Sequence, residues 1–281
     1  MLSKGMILSL ALAGAVIAGP AAAQQPFDES HYPAFAGQWE NMGRLGVFDQ
    51  TKPPGLGQQA PLTPEYQKKF EANLADVARG GFGDDPVYTC IPEGMPRATT
   101  LVLPMEIVVT RNTTYMLMEY LSMLRRIYTD GRDFPTDEDP SWMGYSIGKW
   151  VDPDASGRFT ALEVETRNLK NPRTFDPSGL PLHEDGQTVV KERFYLDKDN
   201  PDILHDLVTV EDHALTRPWT VLKNMKRNPK PIWVESICAE GNVHVNIGGR
   251  HYMINAGDGE LMPAEKDEPP PSLSHFPQTK K

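Results

Sequence analysis

The feature that most constrains this chain is a series of short β-forming runs that begins near residue 105 and contains no helical stretch. Met105–Arg111, Thr114–Met123, Arg125–Asp130, Tyr145–Val151, Arg158–Thr166, Thr188–Leu196, Ile203–Glu211, Trp219–Met225 and Trp233–Cys238 are rich in Val, Ile, Thr, Tyr and Trp. Turn formers separate several of them, among them Asp130-Gly131, Asp152-Pro153-Asp154, Pro177-Ser178-Gly179, Asp197–Pro201 and Asn228-Pro229. Parallel α/β sheets need helical crossovers between strands, so this spacing predicts an antiparallel meander. About eight or nine such strands suit a closed barrel filled by side chains or holding one small ligand.

The approach to the barrel reads differently. Residues 24–62 are rich in Pro, Gly and Gln, with one short β-like segment around Gly37-Gln38-Trp39. Thr63 then supplies a helix N-cap, Pro64 the first helical position and Glu65 an acidic first turn. Tyr66, Phe70, Leu74 and Val77 form one apolar stripe before Gly80-Gly81, which predicts a helix over 63–79. The domain reading is an extension over 24–104, a barrel over 105–262 and a disordered Pro- and charge-rich tail over 263–281.

The first 23 residues read as an address. Lys4 precedes the apolar run Met6–Gly19, and Ala21-Ala22-Ala23 offers a small-residue cleavage site, the pattern of a secretory signal peptide. The apolar run is short of the about 20 residues that span a bilayer, so no membrane anchor is expected after cleavage. The expected location is periplasmic or secreted. In such an oxidising space Cys90 and Cys238, the only two cysteines, read as a disulfide. Closing so long a loop carries about 5 kcal/mol in the chain-entropy treatment. The net charge of −10, with no basic run, argues against a nucleic-acid partner.

Chemistry-bearing residues are sparser. Gly144-Tyr145-Ser146-Ile147-Gly148 matches G-x-S-x-G, but a nucleophile elbow needs a helix directly after it. Here Asp152-Pro153-Asp154 stops the chain, so a strand with small residues at a close approach is expected instead. Seven histidines show no H-x-x-x-H or H-x-H spacing and no nucleotide fingerprint is present, so neither metal nor cofactor is expected. Pairing of Leu196 near Asp202 would set Glu192 and Arg193 across from His205 and Asp206. Such a carboxylate–imidazole pair suits general acid–base work, although an ion pair on the solvated face is the favoured reading. The run Tyr115–Met123 is apolar on both faces apart from Glu119, whose expected partner is Arg125, Arg126 or a ligand.

Further strings travel together: Glu119-Tyr120, Arg126-Ile127-Tyr128-Thr129-Asp130-Gly131-Arg132, Gly144-x-Ser146-x-Gly148-x-Trp150, Glu192-Arg193-Phe194, Arg217-Pro218-Trp219 and Cys238-x-Glu240. With Gly37-x-Trp39, Leu62-Thr63-Pro64-Glu65, Cys90-x-Pro92-x-Gly94-x-Pro96-Arg97 and Pro104-Met105-Glu106-Ile107, the set resembles a largely uncharacterised family of secreted bacterial proteins. The resemblance covers roughly 35–245 and implies export without implying a reaction. This chain departs from the family pattern at Leu182-His183-Glu184-Asp185-Gly186, which lacks a serine, and at Glu211-Asp212-His213. Gly37-x-Trp39 also looks like the opening strand of lipocalins, which makes the expected barrel lipocalin-like.

Two functions follow as expectations. The first is binding of a small, largely apolar or aromatic molecule inside the barrel. Tyr115, Met116, Met118 and Trp150 would line that pocket, with Glu119 or Arg126 orienting a polar end. The second is a cofactor-independent lyase, isomerase or hydratase in the same cavity. His183 or His205 would then act as base and Glu119 or Glu192 as its orienting carboxylate. The two separate on whether Glu119, Arg126, His183 and Glu192 converge.

Overall fold

The computed structural model describes residues 27–79, 81, 83–238, 244–247, 250–254 and 261–262; the expected signal peptide and tail lie outside them. Nine strands close a barrel in sequence order: β1 (Gly37–Asn41), β2 (Met105–Val109), β3 (Thr113–Met118), β4 (Met123–Tyr128), β5 (Tyr145–Val151), β6 (Ala161–Arg167), β7 (Val189–Leu196), β8 (Ile203–Glu211) and β9 (Trp219–Arg227). β1 pairs antiparallel with both β2 and β9, which seals the ring. The mainly-β barrel is therefore as the strand spacing predicts.

An odd number of strands cannot alternate direction all the way round a closed ring, so one neighbouring pair must be parallel. That pair is β4–β5, where Ile127 aligns with Ser146 and Tyr128 with Ile147. The 129–144 connection returns the chain to the start of the barrel, so that β5 enters in the same direction as β4. Every other neighbour pairs antiparallel.

Side chains alternate in and out along each strand, as the pleat requires. On β7, Val190, Glu192 and Phe194 are buried while Lys191 is exposed and Arg193 half-buried. On β8 the buried set is Leu204, Asp206, Val208 and Val210; on β9 it is Trp219, Val221, Lys223 and Met225. Small residues permit close packing where the sequence placed G-x-S-x-G. A Cβ on Gly148 would sit 2.6 Å from Ile127 Cγ2. No helix follows this strand, so there is no elbow.

Three sequence expectations are corrected. The run Thr114–Met123 is not one strand: a tight turn at Tyr120–Ser122, with Leu121 at φ 58° and Ser122 at φ 49°, splits it into β3 and the start of β4. Trp233–Cys238 forms no strand; it lies alongside the barrel, where Val234 N–H donates to the Glu119 carboxylate and Gln38 Nε2 donates to the Ile232 carbonyl at 3.0 Å. The barrel takes β1 from the N-terminal extension and ends at Arg227. β10 (His244–Ile247), β11 (Arg250–Ile254) and β12 (Leu261–Met262) form a separate three-stranded sheet.

The helix α1 spans Pro64–Ala78, with Thr63 Oγ1 accepting from Tyr66 N–H. Tyr66, Phe70 and Asn73 are its buried residues, whereas Val77 is exposed. Asn73 docks the helix: its Nδ2 donates to the Ser178 carbonyl at 2.7 Å and its Oδ1 accepts from Asp84 N–H at 2.6 Å. The Cys90–Cys238 disulfide is present, with Cα atoms 5.6 Å apart. It fastens the segment after α1 to the strap that leaves β9.

Candidate functional site

The barrel interior holds a charged cluster at positions the alternation turns inward. Arg125 and Glu192 form a buried bidentate ion pair. Arg125 Nε also donates to Ser146 Oγ at 3.1 Å, and Arg125 Nη2 donates to Thr166 Oγ1 at 2.8 Å. Across the β8–β9 ladder, Asp206 faces Lys223. Neither makes an ion pair within 4.0 Å among the described residues. Asp206 Oδ1 has no hydrogen-bond partner among them, and burial, reinforced by the Glu192 charge, holds this carboxyl well above its ordinary range. Lys223 donates to the Phe48 carbonyl and lies 4.3 Å above the Phe48 ring. Burial pushes its ammonium down to about 7.

This interior is packed. The cavity beside Arg125, Glu192 and Asp206 has a volume of about 10 Å³, near the smallest space that holds one water. Met105, Met116, Met118 and Met225 line it, and Ala98, Thr99 and Leu101 close over it. Met116 and Met118 therefore point inward as expected, but onto packed protein. Trp150 is elsewhere, in an aromatic cluster with Tyr32, Phe35 and Phe159.

The other candidate residues do not converge. Tyr115 and Arg126 pair with one another across β3–β4 on the outer face, Tyr115 half-buried and Arg126 exposed. Glu119 is buried beneath the strap and contacts neither arginine named for it; it takes the Val234 amide. His205 faces outward, bonded to Asn224 Oδ1 and Asp197 Oδ2 at 2.7 and 3.0 Å. The hairpin register also differs from the assumed one. Leu196 pairs with Leu204, so Glu192 stands across from Val208, and His205 across from Tyr195. Because this slip is two residues, the faces are kept: Glu192 and Asp206 both point inward. Glu192 is thus held by Arg125, not by a histidine.

A larger space lies outside the barrel, where α1, the segment 83–91 and the loop 172–184 meet. It has a volume of about 560 Å³, within the range of small-molecule sites. Tyr66, Tyr88, Ile91 and Leu182 supply ring and aliphatic surface, and Arg173 reaches its wall. Arg173 donates to the Met95 carbonyl at 3.0 Å and to Thr188 Oγ1 at 2.8 Å, but no carboxylate lies within 4.0 Å among the described residues. Burial lowers this guanidinium to about 10. Asp84 and Glu184 also line the cleft, and burial raises the Asp84 carboxyl.

The cleft is braced from behind by Arg97. Its guanidinium is buried and grips both oxygens of Asp85, Glu93 Oε1 at 2.9 Å and Thr174 Oγ1 at 3.1 Å. Burial pushes Glu93 up to about 7, against the pull of Arg97. One arginine thus ties together the three segments that carry residues 85, 93 and 174. The string Cys90-x-Pro92-x-Gly94-x-Pro96-Arg97 marks this brace. At Gly94, with φ +62°, a Cβ would fall 2.4 Å from the Trp142 carbonyl oxygen.

No protein-family model matches the chain, and no curated protein matches it.

Next to the cleft, His183 packs against its lining residue Tyr66 and is grouped with Asp185 and His213. Asp185 Oδ2 is 3.1 Å from His183 Nδ1 and 2.5 Å from His213 Nδ1. Hydrogen bonding to Asp185 raises the His213 imidazole. Burial pushes the Asp185 carboxyl up, but the Gln187 amide and His213 hold it below its ordinary range. A groove of about 510 Å³ crosses the outer face of β5–β8, beneath Phe134. On this face Arg193 pairs with Glu163 and Lys191 with Glu211 across the ladders.

Proposed function

We propose that this is an exported protein that binds a small molecule in the cleft between α1 and the barrel, with an anionic group of the ligand on Arg173. The observation that carries the reading is a buried guanidinium at the wall of a 560 Å³ cleft with no carboxylate partner among the described residues. Asp212, reached through Thr188 Oγ1, and Asp185 favour its charge from a distance but make no direct ion pair, so a carboxylate or phosphate on the ligand would be its first direct counter-charge. The rings of Tyr66 and Tyr88 and the aliphatic surface of Ile91 and Leu182 suit a ligand body that is apolar or aromatic. The binding reading is thus kept, and its place moves from the barrel interior to the barrel flank.

The disulfide supports an oxidising compartment. No helix among the described residues is long and apolar enough to cross a membrane. The apolar leader and the resemblance to secreted bacterial proteins support export. The acid–base enzyme reading loses its support, because its proposed groups are spread over the interior, the strap, the outer face and the loops beside the cleft.

The test uses 1-anilinonaphthalene-8-sulfonate, an aromatic anion, as the probe. Saturable binding of one probe per chain is expected. Arg173→Met weakens it more than tenfold, and Thr89→Trp, which fills the exposed wall of the cleft, abolishes it. Equal binding by the wild type and both variants would overturn the assignment.

A further inference from the structure

Beside the cleft, three metal-ligating side chains come together from two loops. His183 and Asp185 lie in the connection before β7, and His213 in the connection between β8 and β9. Asp212 fixes both loops. Its Oδ1 accepts from the His183 and Ala214 amides at 2.9 and 2.8 Å, and its Oδ2 accepts from Thr188 Oγ1 at 2.6 Å. Tyr66 supports the His183 ring at 5.3 Å between centroids. The two imidazoles stand almost perpendicular, at 86°, with centroids 5.7 Å apart. One ligand atom from each of the three side chains falls within a set no wider than 4.8 Å.

His183 Nδ1 lies 3.1 Å from the Asp185 amide nitrogen. Asp185 Oδ2 lies 3.1 Å from the same imidazole nitrogen. His213 Nδ1 faces the same oxygen from the other loop. Two imidazole nitrogens from different loops thus converge on one carboxylate oxygen.

We infer that His183, Asp185 and His213 form a binding site for one divalent transition-metal ion. Two imidazoles and one carboxylate are a donor set for zinc and its first-row neighbours. Magnesium and calcium favour all-oxygen shells. Three protein ligands leave coordination positions open toward solvent, the pattern of sites that take water or an exchangeable ligand. Leu182 and Glu184, the neighbours of His183 in sequence, both line the cleft, so an ion here would stand next to it. The site is independent of the small-molecule reading, since it uses neither Arg173 nor the cleft volume. The usual sequence spacing for a metal site is missing because one ligand comes from a connection about 30 residues away.

The experiment is a Co²⁺ titration of the tag-free full chain after treatment with a chelator, followed by visible d–d absorption and competition with Zn²⁺. One saturable Co²⁺ per chain is expected, displaced by Zn²⁺ and undisturbed by millimolar Mg²⁺. His213 is exposed, so His213→Ala should keep the wild-type circular dichroism; it should bind Co²⁺ more than tenfold more weakly. His205→Ala, which removes an imidazole outside the cluster, should bind like the wild type. Absence of a saturable cobalt spectrum overturns the inference. So does a His213→Ala variant that binds as the wild type does, or a His205→Ala variant that loses the ion.

Discussion

Replacing Lys223 with methionine should change how stability depends on pH, and the direction follows from burial. The folded ammonium is pushed from 10.5 to about 7 because it is desolvated, with Asp206, Asp176, Asp49 and Glu192 pulling the other way. In the unfolded chain it titrates near its ordinary value. A folded-state value below the unfolded one means that protons favour the unfolded chain. The penalty is absent above about 10.5, grows by about 1.4 kcal/mol per pH unit as pH falls, and is complete at about 5 kcal/mol below about 7. Lys223→Met removes that penalty but leaves the buried Phe48 carbonyl without its donor, a pH-independent cost of about 1–3 kcal/mol. The variant should therefore be more stable than wild type by about 2–4 kcal/mol at pH 7, and less stable by about 1–3 kcal/mol near pH 10.5. Urea unfolding of both proteins at pH 7, 8, 9 and 10, with the disulfide intact, reads the crossover. A stability difference that stays constant from pH 7 to 10 would refute the reasoning.

Four further variants test the frame. Glu192→Gln leaves Arg125 buried without its counter-charge and should cost about 3–5 kcal/mol in urea unfolding, while Arg125→Met combined with Glu192→Leu should recover most of that loss. Cys238→Ser opens a loop of sequence separation 148 and should cost about 2–5 kcal/mol; the wild type should show no free thiol before reduction and two after it. Gly148→Ala drives a methyl group against Ile127 Cγ2 and the Leu162 side chain and should destabilise by about 1–3 kcal/mol in thermal unfolding, with the far-ultraviolet spectrum unchanged.

How far the sequence was legible depended on whether a residue's environment was local. β5 and β8 run over the residues their β-branched pattern predicts, and Thr63-Pro64-Glu65 predicts the start of α1 because capping is settled within one turn. The β3–β4 turn was hidden because it uses Leu121 and Ser122 at positive φ, where a glycine or asparagine is the usual signal. Missing that turn left the parity of β4 open, and parity decides which of two adjacent arginines faces in. Arg125 went to the interior and Arg126 to solvent. Glu192 read as a solvated ion-pair partner because its true partner lies 67 residues away, across the barrel. The cleft was invisible for the same reason. Arg173, Tyr66 and Tyr88 meet only after the Arg97 brace, the Asn73 contacts and the disulfide have folded three distant segments together. Met116 and Met118 point inward, yet no sequence pattern reports that the space beside them is only about 10 Å³.

The proposed ligand site is on the barrel flank and not inside the barrel. Methyl-labelled nuclear magnetic resonance during titration with 1-anilinonaphthalene-8-sulfonate tests it most directly. The methyl signals of Ile91 and Leu182 should shift with a saturable dependence while those of Met116 and Met118 stay in place. Shifts at Met116 and Met118 with Ile91 and Leu182 unmoved would contradict it.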